Sequence, residues 1–106
     1  YCKRAAKLTT LMGRRVTVLP FDEAAAVSAE AIDAKLAEDA SITHVVLIHC
    51  ETGAGVLNPL QAVADVCQRR GKGLIVDAMS SFAALPIDAR EVRFDALIAA
   101  SGKCLE

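Results

Sequence analysis

The sequence lacks an excess of charge of either sign. Its 106 residues carry 12 Lys and Arg against 13 Asp and Glu, a formal net charge of −1 at pH 7. Proteins that hold nucleic acid or anionic membranes electrostatically need surplus positive charge, so this balance argues against both partners. The sequence also lacks an apolar run of the roughly 18 residues that a membrane-spanning helix needs. We expect a protein that binds neither nucleic acid nor membrane.

Cysteine is present, but it lacks the spacing of a disulfide framework or a metal site. The four cysteines stand at positions 2, 50, 67 and 104, and no two of them form a C-x-x-C pair. The two histidines, His44 and His49, lie five residues apart on a predicted strand and so face opposite sides. We expect reduced, buried thiols, a cytoplasmic location and no metal ion.

Internal repeats, low-complexity stretches and linkers are missing as well. The length, with 54% hydrophobic residues, suits about one domain with a modest core. The first residue is Tyr1, not Met, and both ends fall within sequence that has the pattern of regular structure. We therefore expect residues 1–106 to be a segment of a longer protein.

Helix and strand patterns alternate along the chain. Apolar residues at helical spacing predict three helices: residues 3–12 before Gly13, residues 28–36 with Ser28 as cap, and residues 59–70 before Gly71. Apolar and β-branched runs predict strands over residues 14–21, 43–50, 73–78 and 94–101. Connections long enough to hold helices imply parallel strands. The predicted fold is α/β, three-layered, with a mostly parallel sheet and helices on both faces.

Polar side chains follow three of the predicted strands. Ligands of open α/β sheets bind beyond the carboxyl ends of the strands, which makes these side chains the candidates for a site. They are His49, Glu51 and Thr52 after the second strand, Asp77 after the third, and Ser101 and Lys103 after the fourth. A partly buried acid is costly without a partner, so a cation is expected opposite Asp77. From position alone, a cap or a salt bridge explains this acid as well as a catalytic role.

Three stretches of the chain resemble a known family. They are HCETGAGVLNP (49–59), GKGLIVDAMSSFAALPID (71–88) and FDALIAASGKCLE (94–106). They resemble the middle of the fold-type-I, class-V pyridoxal-phosphate aminotransferases, and within that class the 2-aminoethylphosphonate:pyruvate transaminases most nearly. The 26 residues that separate Asp77 from Lys103 match the spacing in this group. The resemblance implies that residues 1–106 are part of a pyridoxal-phosphate-binding large domain, with the small domain absent.

The resemblance implies a role for five side chains. Lys103 would hold the cofactor aldehyde as an internal aldimine and then carry the proton between the substrate carbon and the cofactor. Asp77 would pair with the pyridine nitrogen and keep it protonated. Thr52 would hydrogen-bond the ring hydroxyl, Met79 would pack on one ring face, and Ser101 would contribute to phosphate binding. A plain core methionine and a loop threonine are the alternatives at positions 79 and 52, while His49 and Glu51 are expected to be structural partners of the loop.

The sequence departs from the family's pattern at several positions. Gly53 and Ala54 stand where two hydroxyl side chains are usual, and Gly102 stands where Asn or Gln usually precedes the lysine. Phosphate binding then depends on Ser101, on backbone or on residues outside this chain. Ala83 and Ala84 replace a glycine pair, which affects a tight turn.

The implied function is transfer of the amino group of 2-aminoethylphosphonate to pyruvate, giving phosphonoacetaldehyde and alanine in phosphonate catabolism. The parent enzyme would be a homodimer, and the isolated segment would be inactive because much of the site lies elsewhere. One alternative is another class-V enzyme, such as an alanine or serine aminotransferase that uses glyoxylate or pyruvate. Another is a non-catalytic α/β binding module in which Asp77 and Lys103 form an ordinary ion pair. A nucleotide-binding module would need a glycine-rich turn after the first predicted strand, and residues 18–23 contain no glycine.

Overall fold

The computed structural model describes residues 1–105, in which three helices and five short strands are formed. The elements in chain order are α1 (Cys2–Leu11), α2 (Ala29–Glu38), β1 (His44–Ile48), β2 (Cys50–Glu51), β3 (Val56–Leu57), α3 (Leu60–Arg70), β4 (Gly73–Asp77) and β5 (Ala96–Ile98). No helix among these residues has the length and apolar character needed to cross a membrane.

Strand β4 is the centre of a three-stranded parallel sheet with the order β1-β4-β5. It pairs with β1 over five residues, which places Ile48 opposite Asp77. It pairs with β5 over three residues, which places Ile98 opposite Asp77. All three strands therefore end at the same edge of the sheet. The predicted α/β class with a parallel sheet is confirmed.

The helix ends follow the signals in the sequence. The Ser28 hydroxyl oxygen accepts a hydrogen bond from the Ala31 amide at 3.1 Å and caps the start of α2. Helix α3 ends at Gly71, whose φ of +63° lies in the left-handed region that glycine adopts without strain. Helix α1 is followed by Gly13 at φ +73°. The predicted helix ends are thus confirmed to within a residue or two.

One face of the sheet is packed and the other is open among residues 1–105. Side chains of α2 and α3 join Leu47 and Val76, which are 3% and 0% exposed, in a single apolar core. Burying a side chain of this size contributes roughly 1.5–3 kcal/mol. On the opposite face, Val46 and Ile98 remain 48% and 47% exposed. Helix cover on this second face stays a prediction for the parent protein.

The prediction of a strand over residues 14–21 is wrong. None of the backbone amides of residues 15–21 takes part in a strand ladder, and Val16 and Val18 are exposed. The β-branched residues give this segment an extended preference, but a strand also needs a neighbour with which to pair. Among the described residues the segment does not pair with the free edge of β1.

A short hairpin replaces the loop predicted over residues 51–58. Cys50 pairs with Leu57 and Glu51 pairs with Val56 in an antiparallel ribbon, so the predicted strand over 43–50 divides into β1 and β2. Gly55, at φ +67°, helps the chain to turn back. Two-residue strands are too short to show a periodic pattern, which is why the sequence did not indicate them.

The expectation of buried thiols is confirmed for one cysteine and wrong for two. Cys67 on α3 is 1% exposed, and burial, with a smaller contribution from Asp95, raises the pKa of its thiol to about 11. Cys50 is half-buried, whereas Cys2 and Cys104 are exposed. The exposed pair lies on segments that pack little apolar surface, at the first turn of α1 and after β5.

We predict that Ala83→Gly stabilises the intact protein. Ala83 adopts φ +72°, a left-handed conformation that strains any residue with a Cβ atom. Relief of this strain, less the added entropy of the unfolded chain, should raise the free energy of unfolding by about 0.5–1 kcal/mol. The measurement is the urea midpoint at unchanged slope.

Ala84→Gly is the matched control, because Ala84 lies in the same turn but not in the left-handed region. It should lower the free energy of unfolding by a few tenths of a kcal/mol to about 1 kcal/mol. An Ala83→Gly midpoint at or below that of the control would contradict the assignment of strain.

Candidate functional site

The candidate residues lie at the carboxyl edge of the parallel sheet. The His49 amide donates to the Asp77 carbonyl at 2.8 Å, and the Ala78 amide donates to the Ile98 carbonyl at 2.9 Å. These two bonds continue the pairing of the three strands by one residue beyond their ends. The segments that follow β1, β4 and β5 are therefore brought together, as the sequence analysis predicts.

Asp77 presents one free carboxylate oxygen at this edge. Its Oδ1 atom accepts a hydrogen bond from the Met79 amide at 3.0 Å, which fixes the side chain in a tight turn. Within residues 1–105, Oδ2 has no hydrogen-bond partner, and no ion pair joins Asp77 to Lys103. The cation expected opposite Asp77 is thus not found among the described residues.

Lys103 and Ser101 lie in the exposed turn that follows β5. The Cys104 thiol donates to the Ser80 carbonyl at 3.6 Å, which joins this turn to the segment after β4. The Lys103 amine forms no ion pair within residues 1–105. The lysine therefore offers a primary amine at the same sheet edge as Asp77, next to a cysteine that is hydrogen-bonded to Ser80.

Thr52 is exposed at the turn of the β2–β3 hairpin, and Met79 is 37% exposed beside Asp77. The Thr52 hydroxyl makes no hydrogen bond within residues 1–105, so the backbone of this loop does not use it. Glu51 supports the turn, because its Oε1 atom accepts a hydrogen bond from the Gly53 amide at 3.3 Å. The exposure of Met79 also means that it is not a core methionine in this segment.

The buried side chain of His49 joins the segment after β1 to the segment after β4. Its side chain is 6% exposed, and Nδ1 lies 2.9 Å from the hydroxyl oxygen of Ser81, which is 1% exposed. Burial lowers the pKa of His49, because the charged imidazolium loses its hydration. A neutral, hydrogen-bonded imidazole supports the interpretation of His49 as a structural partner of the loop.

Three polar residues of this region were missed by the sequence analysis. Asn58 is 8% exposed, donates to the Ile48 carbonyl at 2.7 Å and accepts from the Val27 amide at 2.9 Å. Ser81 holds His49, and the Ser80 hydroxyl donates to the Cys50 carbonyl at 2.9 Å. The adjacent serines and the Asn-Pro step were visible in the sequence, but their partners lie about 10 to 32 residues away and could not be assigned from spacing.

The residues present suit a cofactor that carries an aldehyde and a basic ring nitrogen. Lys103 supplies a primary amine, the free oxygen of Asp77 can accept a hydrogen bond, and Thr52 offers a hydroxyl. Two surface concavities within residues 1–105 lie elsewhere, one beside Lys72 and Arg93 and one between α2 and α3. Within residues 1–105, the side chains of Thr52, Ser101 and Lys103 are exposed.

The parallel α/β sheet, with an acid at the end of its central strand and a lysine beyond the next strand, has the arrangement that the resemblance to class-V aminotransferases implies. The family model for class-V aminotransferases matches residues 2–105. The chain belongs to this family.

Curated relatives match the chain over its full length. It is 80% identical over 106 residues to 2-aminoethylphosphonate–pyruvate transaminase 2 of Polaromonas sp. (strain JS666) and 60% identical to transaminase 1 of the same strain. Each match covers 100% of this chain and 28% of the relative. The chain thus spans little more than a quarter of the length of these relatives.

Solved structures agree with the fold. Ureidoglycine–glyoxylate aminotransferase from Bacillus subtilis superposes with a TM-score of 0.87 at 25% identity, covering 94% of this chain and 26% of that one. Pyridoxamine–pyruvate aminotransferase from Mesorhizobium loti superposes with a TM-score of 0.70 at 31% identity, covering 76% and 20%. The α/β arrangement of this segment is therefore the one found within complete class-V enzymes.

We predict that His49 makes the stability of the protein fall in mild acid. Its pKa is lowered in the folded state, so the unfolded chain binds this proton more readily below its ordinary pKa of about 6.5. The free energy of unfolding should therefore decrease as the pH falls from about 7, by at most about 1.4 kcal/mol per pH unit for this one group. His49→Gln should flatten that decrease, as measured by urea midpoints across the range.

The matched control is His44→Gln, which removes the exposed histidine of β1. A decrease that is flattened as much in this control as in His49→Gln would contradict the role of the buried imidazole.

Proposed function

We propose that the intact protein is a pyridoxal-phosphate-dependent transaminase that moves the amino group of 2-aminoethylphosphonate to pyruvate. The observation that carries this proposal is the 80% identity of the whole segment to a relative named for that reaction. The structure adds that Asp77 and Lys103 follow neighbouring strands of one sheet. Each type of residue the chemistry requires from this segment is present at the common edge.

Pyridoxal phosphate, when bound, supplies an aldehyde that links to amines and a pyridinium ring that accepts electrons. Within this chain, Asp77 would hold a proton on the ring nitrogen, because the Met79 amide contacts only Oδ1 and leaves Oδ2 free to accept a hydrogen bond from the N–H of the ring. The Lys103 amine would hold the cofactor through its aldehyde and, once the substrate amine has displaced it, would be the group that takes the proton from the amine-bearing carbon of the substrate.

The remaining candidate residues bind and orient the cofactor. The free hydroxyl of Thr52 would hydrogen-bond the ring hydroxyl, and the exposed Met79 side chain would pack on a ring face. Ser101, exposed two residues before the lysine, contributes a hydroxyl to the phosphate. Gly102 offers only backbone where the family's pattern has an amide side chain, so further phosphate contacts come from outside this segment.

Another class-V activity is the second candidate, with a different small amino acid as donor or glyoxylate as acceptor. Ureidoglycine–glyoxylate aminotransferase, a structure named for glyoxylate, superposes well, but its 25% identity is far below the 80% of the relative named for the phosphonate reaction. The 2-aminoethylphosphonate reaction, and with it a place in phosphonate catabolism, is therefore the function that the comparisons favour.

The same proposal includes a cytoplasmic homodimer. The half-exposed apolar side chains of the second sheet face, such as Val46 and Ile98, require cover from the rest of the protein. The four cysteines are unpaired thiols, which suits a reducing compartment. Because the chain covers 28% of its relatives, residues 1–106 form part of the large domain, and we expect this part alone to be inactive.

The first test of the proposal is Lys103→Arg in the intact protein. Arginine keeps the positive charge but cannot link to the cofactor aldehyde, so borohydride should trap pyridoxal phosphate in the unmodified protein and not in this variant. Peptide mapping by mass spectrometry locates the label. Lys7→Arg, an exposed lysine of α1, is the matched control and should retain full labelling.

The substrates are then tested by comparing two rates. One is the turnover of 2-aminoethylphosphonate with pyruvate, measured as alanine formed, and the other is the turnover of alanine or serine with glyoxylate. Labelling at a lysine other than Lys103 would overturn the assignment of the site. Labelling at Lys103 with turnover only of the alternative pair would overturn the assignment of the substrates.

The second test is Asp77→Asn. An amide cannot hold the ring nitrogen in its protonated form, so kcat should fall by about 100-fold or more while borohydride still traps the cofactor on Lys103. The measurements are steady-state kinetics and the same labelling. The control is Asp65→Asn on the exposed side of α3, which should leave kcat unchanged, and a fall in Asp77→Asn no larger than in this control would refute the role of the acid.

A further inference from the structure

Ser80 lies at the junction of the three segments that carry the candidate site. Its hydroxyl donates to the Cys50 carbonyl at 2.9 Å, and its own carbonyl accepts the Cys104 thiol at 3.6 Å. Ser80 itself follows Asp77 by three residues. Ser80, which lies in the segment after β4, therefore contacts both the segment after β1 and the segment after β5.

Each of these bonds acts next to a reactive side chain. Cys50 lies in β2, two residues before Thr52, so the serine hydroxyl fixes the start of the hairpin that carries the threonine. Cys104 is the neighbour of Lys103, so the thiol contact fixes the backbone from which the lysine extends. Asp77 is held independently by the Met79 amide within the same turn.

Backbone pairing alone does not hold these segments. The register of β1, β4 and β5 ends at Ile48, Asp77 and Ile98, and Lys103 lies five residues beyond the last of them. The residues after β5 form an exposed turn in which the Cys104 thiol makes the side-chain hydrogen bond to another segment. Without this contact to Ser80, the lysine would be attached to the sheet only through the chain that leads to it.

The neighbouring Ser81 has a different hydrogen-bond partner, so substitutions can distinguish the roles of the two serines. Ser81 is 1% exposed and bonds the buried His49, so its removal would disturb the core beneath the edge. Ser80 is half-buried, and its hydrogen bonds go to Cys50 and Cys104 at the edge itself.

We propose that Ser80 is a positioning residue that sets the distances among Thr52, Asp77 and Lys103 toward the cofactor. The proposal rests on the proposed function, because these three residues need a fixed relation only if they act on one bound molecule. Reacting groups must be placed closely, and a shift of about 1 Å can change a rate by up to roughly 100-fold. The hydroxyl and carbonyl of Ser80 therefore act on the reaction through the positions of other residues.

The test is Ser80→Ala in the intact, cofactor-loaded protein, with Ser80→Thr as the conservative variant. Ser80→Ala should lower kcat about tenfold with the KM for pyruvate changed less than about threefold, because loss of the bond to the Cys50 carbonyl displaces the hairpin that carries Thr52 while the substrate-binding residues remain. The pH titration of the visible absorbance of the lysine-bound cofactor should shift by about half a unit or more, because the Thr52 hydroxyl that would contact the cofactor's ring hydroxyl is displaced. Ser80→Thr keeps the hydroxyl and should restore both values.

Ser41→Ala is the matched control, since Ser41 also has a hydrogen-bonded hydroxyl, 2.6 Å from Asp39, but lies at the opposite end of β1. It should change neither kcat nor the titration. If Ser80→Ala fails to fold, Cys104→Ala removes the other contact, the thiol bond to the Ser80 carbonyl, and should also shift the titration by about half a unit or more, with Cys104→Ser restoring it.

The failures of the two proposals are distinguishable. Absence of borohydride labelling at Lys103 in the unmodified protein would overturn the proposed function. Labelling at Lys103 together with an unchanged titration in Ser80→Ala, or in Cys104→Ala where that variant replaces it, would overturn the positioning role alone. A loss of activity that Ser80→Thr does not restore, with the titration unchanged, would likewise overturn it.

Discussion

The parallel pairing of β4 with β1 on one side and β5 on the other determines where every candidate residue lies. Asp77 is opposite Ile48 and Ile98 in the two ladders, so all three strands end at the same edge of the sheet. Helices α2 and α3 hold this arrangement through a core on one face. A change of one residue in the register of β4 would turn the Asp77 side chain onto that packed face.

Sequence reasoning succeeded where the determining interaction is local or periodic. The Ser28 cap, the left-handed Gly71 and the apolar runs of β1 and β4 are such cases, and they sufficed to place Asp77 and Lys103 at one sheet edge. It failed for residues 14–21, because a strand depends on a partner that local pattern does not supply. Ser80 and its contacts were also missed, because distances in the sequence do not reveal which carbonyl a serine will meet.

The segment combines rigid anchoring with open surroundings. Near the carboxyl edge of the sheet, three polar residues are buried and hydrogen-bonded: His49, Asn58 and Ser81. Three candidate residues at the same edge are exposed: Thr52, Ser101 and Lys103. The strained Ala83 and the side chain absent at Gly102 mark where this chain departs from the pattern of its family. A hydrogen-bonded buried layer that carries exposed reactive side chains is consistent with one part of a larger cofactor site. The chain covers 28% of its named relatives.

The most direct test of this account is a crystal structure of the intact protein grown with pyridoxal phosphate. The account predicts continuous electron density between the Lys103 Nζ atom and the cofactor. It also predicts that the ring nitrogen lies within hydrogen-bond distance of Asp77 Oδ2, the oxygen that the Met79 amide leaves free. A cofactor joined to a different lysine, or a ring nitrogen that faces a residue other than Asp77, would contradict the claim that these three strand ends form the site.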